Sequence, residues 1–207
     1  MFVSKEQTAL NRDSLLQAAS RLFREKGIDG VGVADIAKEA GLTHGALYKH
    51  FPSKEALAAE AFKYAAANKL DSRGNRKQTF EKRLNAMFST ERIDTLAEGC
   101  PMTASASEIA RQGTAVAESF TRVFKETIAE IEMLIEGPMP AAQKRHLAIS
   151  ALAAQIGAVA VARAIARIEP SLSEEVLKSV HKTVKPTHAI KRAKNAKVRS
   201  FQHGSRS

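Results

Sequence analysis

Tryptophan is absent from this chain of 207 residues, and aromatic residues make up only 5% of it. Runs of β-branched residues with period two are also missing. Half-buried strands alternate apolar and polar residues, so this absence argues against sheet. A single cysteine, Cys100, excludes an intrachain disulfide and fits a reducing compartment. The histidines, at 44, 50, 146, 181, 188 and 203, show no metal-ligand spacing. No phosphate-cradling glycine loop occurs either, so neither a metal nor another cofactor is expected. The N-terminus holds no apolar stretch of signal-peptide length. The longest apolar run, residues 147–162, is interrupted by Ser150, Gln155 and Gly157. It is too short and too rich in alanine for a membrane span. These absences predict a cytoplasmic protein without a membrane partner.

What is present is alanine, helical periodicity and basic charge. Hydrophobic residues reach 44%, enough for a sizeable core. The net charge is +10, unevenly spread: residues 1–67 carry nine Lys/Arg against eight Asp/Glu, 68–84 six against two, and 185–207 seven against none. A basic balance is compatible with nucleic acid, but the excess lies in a linker and a tail.

Apolar spacing predicts an all-α chain. A first helix over residues 12–26, with Asn11 as N-cap, carries Leu15, Leu16, Ala19, Leu22 and Phe23 on one stripe. Gly27 closes it. A short helix over 33–40 follows, then a turn at Gly41 and Leu42, then a third helix capped by Thr43. Leu47 and Phe51 lie four apart on that third helix and point to one core. His44, Gly45, Tyr48 and Lys49 are left on the other face. A glycine-containing turn between a short helix and a polar-faced one is the pattern of a DNA-reading helix-turn-helix, although an ordinary amphipathic hairpin fits the same spacing.

Pro52 stops the third helix and Ser53 caps a fourth over 54–70. A polar loop at 71–77 and a helix over 78–88 follow. A long helix is expected over 103–135, and another over 141–168 with Leu147, Leu152, Ile156, Val159 and Ala160 on its core side. A last helix, started by a capping box of Ser171 and Glu174 or by Ser173, runs to 184. Residues 186–207 read as a basic, disordered tail. That tail either adds non-specific phosphate affinity or merely solubilises.

The strings LLQAASRLFREKG and ADIAKEAGLTHGALYKHFPSKEAL, continued more weakly to residue 184, resemble the TetR-type (tetracycline-repressor-like) transcriptional regulators. The resemblance implies a helix-turn-helix domain over 8–55, a helical ligand-binding and dimerisation domain over 56–185, and a tail over 186–207. It implies a non-enzymatic repressor that binds a palindromic double-stranded operator as a homodimer and leaves it when a small-molecule effector binds. On this chain the family's DNA-contacting positions fall at Val33, Thr43, His44, Gly45, Ala46, Tyr48, Lys49, His50 and Lys54. Tyr48 and Lys54 match phosphate contacts, while His44, Gly45 and Ala46 match positions near base edges. His50 also fits a partly buried structural histidine. Gly32 departs from the family, where Thr or Ser is frequent, which puts one phosphate contact in doubt.

Phe62, Leu84, Phe88, Phe120 and Phe124 are candidate effector contacts, although aromatics at helical spacing also serve as core. Cys100, just ahead of a helix start, is a candidate contact and a candidate redox sensor, or a small apolar residue in a tight turn. Leu152, Ile156, Gly157, Val159, Ala160, Val176, Leu177 and Val180 are the expected dimer residues. Two other functions remain: a helical enzyme or carrier using the same cavity, and a non-specific architectural DNA binder. The near-neutral head argues against the architectural binder.

Overall fold

The computed structural model describes residues 4–71 and 79–185. Its helices, in order, are α1 (Lys5–Lys26), α2 (Val33–Glu39), α3 (His44–His50), α4 (Lys54–Asp71), α5 (Phe80–Met87), α6 (Glu91–Asp94), α7 (Pro101–Ile109), α8 (Thr114–Leu134), α9 (Ala141–Ile165) and α10 (Pro170–Val184). Among the described residues there is no strand. The chain is all-α, with a small head, α1 to α3, set on a larger helical body.

Two apolar cores divide these helices. In the head, Leu15, Leu22, Ile36, Leu47 and Phe51 pack with Leu57 of α4. The body core gathers Leu84, Met87, Ile131, Leu152 and Leu177 from α5, α8, α9 and α10. The cores are not sealed from each other. Ile109 of α7 and Val116 of α8 belong to the head's core, and Phe120 touches both.

Several expected boundaries are corrected. The first helix begins at Lys5, not residue 12. Ser4 is its N-cap and accepts from Gln7 N at 3.0 Å, whereas Asn11 lies mid-helix and its side chain accepts from Gln7 Nε2 at 2.9 Å. The long helix expected over 103–135 is two helices, α7 and α8, broken at residues 110–113. The break goes unseen in the sequence because apolar residues recur at helical spacing across it. The stretch at 89–101 contains the short α6. No capping box opens α10: Pro170 occupies its first position, where a missing N–H costs nothing. Ser173 does not cap either, since its hydroxyl donates to Ala162 O at 2.8 Å and ties α10 to α9. Most of the polar loop and the whole basic tail lie outside the described residues.

One described helix, α9, is long and apolar enough to cross a membrane by length and composition, with a mean hydropathy of 1.7. The full helix is longer than the run weighed in the sequence. It packs against α7, α8 and α10.

Candidate nucleic-acid interface and effector crevice

The turn between α2 and α3 depends on Gly41, whose φ of 69° lies in the left-handed region that glycine tolerates. There Leu42 N donates back to Ala37 O at 2.8 Å. Thr43 Oγ1 then accepts from Ala46 N at 3.2 Å, capping α3. Gly32 caps α2 from its backbone alone, its N–H donating to Asp35 Oδ2 at 3.3 Å.

Leu47 and Phe51 are buried and fix the inner side of α3. His44, Gly45, Tyr48 and Lys49 are exposed on its outer side, while Ala46, His50, Lys54 and Val33 are half-buried. Tyr48 is 47% exposed. The His44 ring meets it edge-on, with centroids 5.1 Å apart. His50 lies against Phe51 with centroids 6.5 Å apart, which suits a partly structural role. Arg12 braces the far side: its guanidinium stands 4.9 Å from the centre of the Phe51 ring and pairs with Glu60. The outward face thus carries hydrogen-bonding and cationic groups around two residues with almost no side chain.

In the body, the expected effector contacts are largely packing. Phe62, Leu84 and Phe88 are buried. Phe62, Phe120 and Phe124 form a ladder, with centroid separations of 5.6 and 6.1 Å. The open space lies elsewhere. A narrow crevice of about 30 Å³ between α4, α5, α7, α8 and α9 is lined by Ala66, Arg83, Cys100, Met102, Val123, Glu126, Glu130, Leu152 and Gln155. Of the six expected contacts only Cys100 borders it, and Phe62 borders a different gap, of about 20 Å³, between α1, α4 and α7. Aromatics lost to the core, and polar side chains gained the crevice. Arg83 on the otherwise apolar side of α5, and Val123, Thr127 and Glu130 at helical spacing on α8, are sequence features that mark it, although the expectations above do not include them.

Cys100 is half-buried at the N-cap of α7, ahead of Pro101. Two guanidiniums, Arg24 and Arg163, lie near Cys100, and burial pulls both below their ordinary pKa. They hold the segment before Cys100 by its backbone: Arg24 Nε donates to Ala97 O, and Arg163 Nε to Arg92 O at 2.9 Å. Among the described residues no cluster of His, Cys, Asp or Glu is placed to hold a metal.

The expected dimer residues divide. Leu152, Val159 and Leu177 are buried in the chain's own core and cannot meet a partner directly, which corrects their assignment. Gly157 and Ala160 are exposed, and Ile156, Val176 and Val180 are half-buried. The open face of α9 continues through Ile149, Ala153, Val161 and Ala164, and Leu172 of α10 is exposed as well. Small residues crowd both sides of α9, so spacing alone does not tell its inner stripe from its outer one.

Comparison with known proteins bears on this arrangement. Residues 15–61 match the family described as bacterial regulatory proteins, tetR family. The chain is 34% identical to the HTH-type transcriptional regulator LmrA of Bacillus subtilis over 128 residues, 56% of this chain and 66% of that protein. It is 44% identical to the HTH-type transcriptional repressor KstR2 of Mycolicibacterium smegmatis over 57 residues, 28% of each. These matches span between about a quarter and two thirds of the relatives' own lengths. Among solved structures, a TetR-family transcriptional regulator from Cytophaga hutchinsonii superimposes with a TM-score of 0.69 at 21% identity, covering 89% of this chain and 96% of that one.

Proposed function

We propose that this chain, which belongs to the TetR family of bacterial DNA-binding regulatory proteins, is a cytoplasmic repressor. In this reading it binds a palindromic operator as a dimer and is released by a small-molecule effector. The observation that carries it is the outer face of α3, where exposed His44, Tyr48 and Lys49 surround the nearly side-chain-free Gly45 and Ala46, on a helix locked from within by Leu47 and Phe51.

In this reading α3 enters the major groove. Tyr48, Lys49 and Lys54 meet phosphates and set the register, since phosphate contacts position while base contacts specify. Val33, Thr43 and His50 lie along the same approach. Gly45 and Ala46 allow close contact but offer no side-chain hydrogen bond to a base edge, so direct readout falls mainly to His44. The near-neutral head fits affinity built from placed contacts. The effector is received in the crevice bordered by Arg83, Cys100, Glu126 and Gln155, which sets a few convergent polar groups among apolar walls.

Dimerisation uses the open face of α9 from Ile149 through Gly157 to Ala164, with Val176 and Val180 of α10 at its margin. Two heads then stand about 34–36 Å apart, one turn of DNA. The test is to recover bound fragments from genomic DNA with the purified protein, then screen for compounds that release them. An inverted repeat occupied by two chains is the expected result. Tight binding of one chain to a single half-site, or capture of DNA without sequence preference, would refute the proposal.

A further inference from the structure

Head and body share more than an apolar seam. Gly27 ends α1, and beyond it the Asp29 N–H donates to Oε1 of Glu108 on α7 at 2.8 Å. Gln112, in the corner between α7 and α8, donates from Nε2 to Asp29 Oδ1 at 3.0 Å. On the other side of this corner, Ala115 N donates to Oε1 of Glu55 at 3.3 Å. Ala115 lies in the first turn of α8, whose N-cap is Gly113 and supplies no side chain. Glu55 of α4 therefore caps α8 in place of a local residue. A Cβ at Gly113 would collide with the Glu55 carboxylate, and one at Gly27 would stand 3.2 Å from that of Glu108.

The chain order of these attachments matters. Asp29 stands just before α2, and Glu55 lies in the first turn of α4. Together they bracket α2 and α3. The corner thus holds the helix-turn-helix at both ends, while Ile109 and Val116 beside it complete the head's core. A head held at one point could swing. Held at both, it keeps one orientation relative to α8, and α8 packs on α9.

We infer that the corner at residues 108–115 is a positioning clasp that fixes the separation and angle of the two reading helices in the dimer, and so selects the operator's half-site spacing. This rests on the dimeric DNA-reading role proposed above. One base pair added between half-sites moves the second site by about 3.4 Å and turns it by roughly 35°. A clasped head cannot follow that displacement, and an unclasped one can.

The experiment uses the full chain, an operator selected from random duplex DNA, and derivatives with the spacer lengthened or shortened by one base pair. The wild type should lose about tenfold or more in affinity with each altered spacer. The body-side variants Glu108→Ala/Gln112→Ala and, separately, Gly113→Ala change no residue of α2 to α4, although the last displaces the Glu55 carboxylate that it meets. Each should bind altered spacers within about threefold of the original, with unchanged affinity for an isolated half-site. Glu108→Gln keeps an acceptor in place and should restore discrimination. Circular-dichroism melting establishes that each variant folds. A folded variant that keeps the wild-type spacer preference overturns the clasp. So does a half-site affinity that falls as far as that for the whole operator, which would make the corner merely structural. A wild type that binds no inverted repeat overturns the dimeric reading instead.

Discussion

Replacing Val161 with Asp probes the association face proposed for α9. Val161 is 50% exposed in the single chain and shares the open side of α9 with Ala153, Gly157 and Ala164. Burying the exposed half of a valine side chain contributes about 1 kcal/mol. A two-fold interface contains the residue twice, so the lost contact alone costs about 2 kcal/mol. The carboxylate adds more, because a buried charge without a partner costs about 3–5 kcal/mol. Even one such charge brings the total to about 5–7 kcal/mol, which weakens association by about 10³- to 10⁵-fold. Sedimentation equilibrium at micromolar protein should find Val161→Asp as a monomer with wild-type helical content. Leu152→Ala is the informative contrast. That side chain is fully buried in its own chain, so its loss removes about 2–5 kcal/mol of folding stability without altering the outer face. If Val161→Asp remains a dimer at the same concentration, the assignment of the α9 face is wrong, whatever happens to DNA binding.

Three further outcomes are expected. Gly27→Ala should lower stability in urea by about 1–3 kcal/mol, because φ 78° with ψ 163° is a region open essentially to glycine; unchanged stability would contradict this. Lys54→Ala should weaken binding to all operator sequences alike and reduce the salt slope by about one, and a sequence-dependent loss would remove it from the phosphate contacts. His181 packs against Phe88 with its buried Nε2 unpartnered. Burial first, and then Lys185, hold it below its ordinary pKa, against the opposing pull of Glu81. The unfolded chain therefore binds that proton more readily. The stabilising contribution is complete above about pH 6.5 and is lost as pH falls through the lower folded-state pKa. His181→Leu should flatten the fall in melting temperature on that acid side, and a slope identical to wild type would refute the assignment.

The head was legible in the sequence because its local signals agree. Gly41, Thr43, Leu47 and Phe51 each constrain the same short stretch, and the structure places them in the expected turn, cap and core. The body was less legible for reasons of packing. The 110–113 corner falls between Ile109 and Val116, which are seven apart and so still share one helical face, and Gly113 is the one local sign of the break. The inner and outer stripes of α9 are both built of small residues, so Leu152 and Val159, correctly placed on its core side by spacing, also read as dimer face. Aromatic residues gave no guide to the crevice, since a large ring contributes most where it is fully packed. Arg83 and Glu130, which border the open space, carried the more telling signal. The contacts that join head to body pair residues such as Asp29 and Gln112, remote in sequence and linked by no local pattern.

Gly45 has a consequence for how such a regulator changes its target. An ideal Cβ built there meets no atom within 4 Å. Glycine inside a helix is also about 1 kcal/mol less favourable than alanine, so a new side chain strengthens α3 rather than straining it. Under the DNA-reading role proposed for this helix, the position that can acquire new base contacts is one the core does not constrain. Operator preference is therefore free to drift, or to be engineered, by single substitutions that the rest of the molecule does not register.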